Sequence, residues 1–115
     1  MTQFSDADIE RMKQELAVNG YRTLLRLVVL HDKHLRTESE ARRDLGVFCS
    51  ASGSTMKSWE SKGIRGVCVA RAVEFAECYG VKMGSHQLQP TTDIALQWLN
   101  YEYGLAQEGK RRVKS

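Results

Sequence analysis

The segment 52–81, SGSTMKSWESKGIRGVCVARAVEFAECYGV, constrains the fold more than any other part of the chain. Residues 55–62 form a short helical pattern anchored by Met56 and Trp59 and stopped by Gly63. Residues 67–79 form a second pattern, in which Val67, Val69, Ala70, Val73, Phe75, Ala76 and Cys78 make the apolar side. Gly80 follows as its stop. The first helix keeps a serine- and lysine-rich side opposite its anchors. Neither helix can bury its apolar side alone, so further helices have to cover both.

The rest of the sequence supplies them. Ser5 followed by Asp6, Asp8 and Glu10 is a helix start, a capping oxygen and then carboxylates at the positive helix end. Ile9, Met12, Leu16 and Ala17 recur at helical spacing, and Asn19-Gly20 reads as the end of that helix. A second helix is expected over about 21–35, with Leu24, Leu25, Leu27, Val28 and Leu30 on its apolar face. A third opens at 36–38 with Thr37 as cap and Glu40 as its box partner, and sets Ala41, Leu45, Phe48 and Cys49 on one side. Residues 50–54 are a polar turn, and 84–90 read as a loop. Thr91 or Thr92 caps a last helix carrying Ile94, Ala95, Trp98 and Leu99, and the basic residues 110–115 are expected to be a disordered tail. The expected fold class is therefore all-α, a compact helical domain of about six helices. Its organisation reads as an N-terminal helical extension (1–36), a central core (37–90), a C-terminal helix (91–109) and the tail (110–115).

Composition removes several function classes. A chain of 115 residues is one domain's worth. Its net charge of +3 is too mild to argue for a polyanionic partner by itself, but Lys57, Lys62, Arg65 and Arg71 gather around the 55–62 helix. Cys49, Cys68 and Cys78 include no CxxC pair and read as buried, reduced thiols. His31 and His34 lie three apart with no third ligand in reach, so no metal site is expected. No nucleophile triad or phosphate-cradling glycine loop occurs; the expectation is a non-enzyme with no cofactor and no small-molecule substrate. The acidic N-terminus does not read as a signal peptide and the apolar run 27–30 is too short for a bilayer, so a soluble, cytoplasmic protein without a membrane partner is expected.

The order Leu45-Gly46, polar turn 50–54, Ser54-Thr55-Met56-Lys57-Ser58-Trp59, Lys62-Gly63-Ile64 and Ala72…Phe75-Ala76…Tyr79-Gly80-Val81 carries a resemblance. With Leu88 included, residues 38–88, roughly half the chain, resemble the helix-turn-helix domains of phage repressors and related regulators, the lambda-repressor-like group, in particular its phage CI-type and CII-type domains. Two features depart from that pattern. Leu45-Gly46-Val47 lies about one helical turn upstream of the family's Leu-Gly-Val, and Arg65 stands where a proline commonly follows the corner isoleucine. An ungapped match puts Leu45, Gly46, Cys49 and Ser50 at the packing positions, with Gly46 and Ser50 as the small residues of the helix crossing.

The resemblance implies a sequence-specific regulator of transcription, of a phage or mobile element, that inserts helix 55–62 into the major groove of double-stranded DNA and occludes or recruits polymerase at a promoter. Ser52, Gly53, Ser54, Lys57, Ser58 and Ser61 would line the groove face, with Lys57 as a donor to guanine. The backbone N–H groups of Ser54 and Thr55 would meet a phosphate. Lys62, Arg65 and Arg71, with Arg42 or Arg43 opposite, would hold the backbone, and Trp59 would pack inward against Leu45 and the Val73 face. Apolar residues beyond the core's needs, Trp98, Tyr101, Tyr103 and Leu105 among them, imply a two-fold homodimer built from terminal helices. The competing reading is a helix-turn-helix-derived protein-interaction module, such as an adaptor, antirepressor or antitoxin-like partner.

Overall fold

Among the described residues, six helices follow one another in the order α1 (Asp6–His31), α2 (Glu38–Phe48), α3 (Gly53–Lys62), α4 (Cys68–Cys78), α5 (Ser85–Leu88) and α6 (Thr92–Lys114). The computed structural model describes residues 4–32 and 37–114, with side chains as far as Ala106, and no strand occurs among them. The protein is all-α. No helix among the described residues is long and apolar enough to cross a membrane.

Local chemistry sets most of the helix ends. The Ser5 hydroxyl accepts from the Asp8 N–H at 3.1 Å while Asp8 accepts from the Ser5 N–H at 3.2 Å, a reciprocal capping box that opens α1. Thr37 caps α2 by accepting from the Glu40 N–H at 3.2 Å. The Glu40 carboxylate, however, takes the Thr37 hydroxyl proton instead of the cap's backbone N–H, so the expected box is only half closed. Thr91 caps α6 by accepting from the Ile94 N–H. The end of α4 is a Schellman motif, with Gly80 N–H donating to Glu77 and Val81 N–H to Ala76.

The largest departure from the sequence reading is at Asn19-Gly20. Two helices were expected there, yet α1 runs through without a break for 26 residues. Gly20 serves close approach: a Cβ added to it would lie 2.0 Å from the Gln87 carbonyl oxygen. Mid-helix glycine costs about 1 kcal/mol relative to alanine, which the tight seating of α5 against α1 offsets. The end of the expected second helix, at Leu35, lies outside the described residues.

The continuous α1 carries two apolar clusters. Tyr21, Leu24, Leu25 and Val28 join Ala41, Leu45, Trp59, Ile64, Ala72, Phe75, Ala76 and Leu88 in the main core. Met12, flanked by Ile9 and Leu16, packs instead with Ala95 and Leu99 of α6. Leu88 sits at Gly20 and Glu102 reaches Arg11, so α6 returns antiparallel along the first half of α1.

Several further expectations are corrected. Residues 85–88, read as loop, form the short helix α5 because the Gln87 side chain turns back to accept the Gly84 N–H at 2.8 Å. The basic residues 110–114, expected to be disordered, continue α6 to Lys114. On α4 the buried stripe is Val69, Ala72, Phe75 and Ala76. Val67 is 86% exposed, lying in the turn before the first helical residue, and Ala70 and Cys78 fall off the stripe. Cys78 is therefore exposed and Cys49 and Cys68 are half-buried, so the three thiols are free but not all interior. Leu30 and Trp98, expected on apolar faces, are 76% and 47% exposed. Ser50 takes no part in a helix crossing; it occupies the exposed α2–α3 turn with φ of 53°. Gly46 does meet α3, facing the Met56 thioether.

Candidate nucleic-acid interface

α3 begins two residues before the expected 55 because Ser52 caps it, accepting from the Thr55 N–H at 3.2 Å. That bond corrects one expectation: the Thr55 N–H is already taken and is not available to a phosphate. The Ser52 hydroxyl also lies 3.1 Å from that of Ser54 and 2.9 Å from that of Thr55, which gathers three hydroxyls at the helix start. Further along, Ser58 donates to the Thr55 carbonyl at 2.6 Å and Ser61 to the Ser58 carbonyl at 3.3 Å. Both hydroxyls thus spend their protons on the helix and face outward as acceptors.

The helix has a dry side and a wet one. Trp59 is 1% exposed, with Met56 half-buried beside it. Ser54, Lys57 and Ser61, spaced three and four apart, form the stripe opposite the indole, and all three are exposed. Ser52, Gly53, Thr55 and Lys62 are exposed as well, and Ser58 is half-buried at the edge of the stripe. The indole meets the ring of Tyr21 edge-on, with centroids 5.9 Å apart, so α1 braces α3 from behind.

Charge is placed around this ridge. Lys62 and Arg65 stand at the far end of α3, where with Lys13 and Gln14 they line an open groove of about 1040 Å³ between α1 and the α5–α6 joint. Gln14 donates to the Ser61 carbonyl there, tying off a helix-end acceptor. Arg71 lies near the opposite end, close enough to the Cys49 thiol beside the α2–α3 turn to oppose the rise in its pKa. Lys57, Lys62, Arg65 and Arg71 are exposed and make no ion pair among the described residues.

Arg42 is different. Its guanidinium donates to Glu60 at 2.8 Å, and the Tyr21 hydroxyl donates to the same oxygen at 2.9 Å. Of the two arginines expected opposite the phosphates, only Arg43 remains exposed without an ion pair among the described residues. The Arg42–Glu60–Tyr21 node links α2, α3 and α1 and fixes the roll of α3. No local spacing betrays it, since its members are 39 and 18 residues apart. The one sequence signal was the need of a buried tyrosine for a hydroxyl partner.

The bond from Arg42, helped by Tyr21, holds the Glu60 carboxyl below the usual glutamate range. Burial, then the Glu60 charge, pushes the Tyr21 phenol up. A depressed carboxylate contributes its stabilisation above the ordinary glutamate range and loses it as pH falls through the lowered value. Both ends of the ion pair are 43% exposed, so water screens it and Glu60→Gln should remove about 1 kcal/mol at neutral pH. Thermal melts from pH 7 down to acid check the sign: the wild-type midpoint should fall toward that of Glu60→Gln, and a constant gap would rule out the assignment.

His31 Nδ1 donates to the Leu27 carbonyl at 2.8 Å and joins no cluster, and no group of three metal-ligating side chains occurs among the described residues. His34 lies outside them. Comparison with protein-family models, curated proteins and solved structures gave no match for this chain.

Proposed function

We propose that the chain is a sequence-specific, DNA-binding regulator of transcription of the lambda-repressor-like type, in which α3 enters the major groove. The observation that carries this reading is the exposed Ser54–Lys57–Ser61 stripe held out by an indole that is 1% exposed behind it. Ser52, Gly53, Ser54, Thr55, Lys57, Ser58 and Ser61 then meet the groove, the hydroxyls accepting from base amino groups and Lys57 donating to guanine. Lys62, Arg65 and Arg71 hold phosphates at the two ends of the helix. Such a regulator acts in the cytoplasm, as a repressor encoded by a phage or mobile element.

The working unit is a homodimer. On α6, Ile94, Trp98, Tyr101 and Leu105 repeat at spacings of four, three and four, about a quarter turn from the stripe packed on α1. Trp98, Tyr101 and Leu105 are each about half exposed, and the two rings already pack edge to face. A contiguous exposed aromatic stripe of this kind fits a second copy of α6 packed against it.

Salt dependence tests the reading. Affinity for duplex DNA should fall steeply with salt, and Lys62→Ala with Arg65→Ala should flatten the log–log slope by about 2, roughly 0.9 per lost phosphate contact. A protein-interaction module is favoured by one observation, the exposed Glu38 and Glu40 in the first turn of α2, the helix that would cross the phosphate backbone. A slope near zero would select that reading.

A further inference from the structure

Cys49 and Cys68 bracket the segment that carries α3. Cys49 is the C-cap of α2 and Cys68 the first residue of α4, so between them lie the turn, α3 and the glycine corner. α2 and α4 are packed together by the Phe48 and Phe75 rings, whose centroids are 5.6 Å apart. The Cys49 thiol donates to the Cys68 carbonyl oxygen at 3.9 Å, which brings its sulfur to the backbone of the second cysteine. Both side chains are half-buried, which leaves them within reach of a small oxidant.

We propose that Cys49 and Cys68 are a reversible disulfide site, oxidised by hydrogen peroxide, that closes the α3-bearing segment into a covalent loop. Burial pushes the Cys49 thiol up to about 11, which keeps it protonated and ill suited to the first attack. The Cys68 sulfur attacks the peroxide, the O–O bond breaks, and a sulfenic acid and one water result. The Cys49 sulfur then displaces the sulfenic oxygen, its proton leaving with the hydroxyl as a second water. Two thiols and one peroxide become one disulfide and two waters, the sulfurs giving up two electrons in all. A dithiol reductant reverses the step by exchange.

Trypsin places each cysteine in its own peptide, 44–57, 66–71 and 72–82, so the linkage can be read directly. Full-length Cys78→Ser, treated with dilute hydrogen peroxide, should lose two hydrogens in mass and yield peptides 44–57 and 66–71 joined. Its melting temperature should rise by roughly 10 °C, as expected for a loop of this length, and return on reduction with dithiothreitol. Adding Cys68→Ser should abolish both the joined peptides and the rise. Two free thiols after treatment, or a gain of oxygen without joined peptides, would overturn the proposal. DNA affinity plays no part in this readout, so it stands or falls separately from the assignment of α3.

Discussion

Trp59→Ala should lower the stability of this protein by about 3–5 kcal/mol, a large share of the 5–15 kcal/mol that holds a typical domain folded. The indole is 1% exposed and belongs to the same apolar cluster as Tyr21, Leu45, Ile64 and Leu88. Its removal leaves a void in that cluster and strips the edge-on contact from Tyr21. α3 depends heavily on this anchor, because Trp59 is its one fully buried side chain. Chemical denaturation should therefore show a lower midpoint, with Trp59→Phe falling between the wild type and alanine. Folded Trp59→Ala with an unchanged melting temperature would show that the ridge is not held from behind.

Gly63→Ala should be nearly as damaging, by about 3 kcal/mol or more, for a different reason. Gly63 stops α3 at φ of 76° and ψ of 178°, a backbone region open to glycine and closed to L side chains. A Cβ there would also lie 2.7–2.8 Å from the carbonyl carbon, carbonyl oxygen and side chain of Ala17. Backbone cannot yield as a flexible side chain would, so α1 and the end of α3 must part. Because Lys62 and Arg65 flank this glycine, the substitution should weaken DNA binding beyond what the lost stability explains. The control for stability is Gly53→Ala at the start of α3, where a Cβ meets nothing within 4 Å and the melting temperature should hardly change. Equal effects at both positions would contradict the close approach of α1.

The contrast between Gly63 and Gly20 shows where sequence reasoning succeeds and where it stops. Gly63 and Gly80 ended helices as their spacing predicted, and Ser5, Thr37 and Thr91 capped helices as their chemistry predicted, because a cap or stop depends on neighbours in the chain. Gly20 followed the same local pattern and gave the wrong answer. Its role is set by Gln87, far along the sequence, and only tertiary packing reveals it. α5 was missed because a single turn held by Gln87 carries too few residues to show a period.

At the candidate interface the outward stripe was legible from the 3.6-residue period around Trp59. Its supports were not. Glu60 looked like one more charge on a solvated face, and Arg42 like one more phosphate ligand, until the fold brought them within 2.8 Å beneath Tyr21. The same holds for Val67, whose apolar character suggested core but whose place in a turn turns it outward.

The most direct test of the central claim is selection of bound sequences from a random pool of DNA duplexes, run in parallel with wild-type protein and Lys57→Ala. The account predicts a two-fold-symmetric consensus for the wild type, and loss of preference at one position in each half-site for Lys57→Ala, with nonspecific binding retained. A wild-type selection that enriches no sequence, or an identical consensus from both proteins, would contradict it.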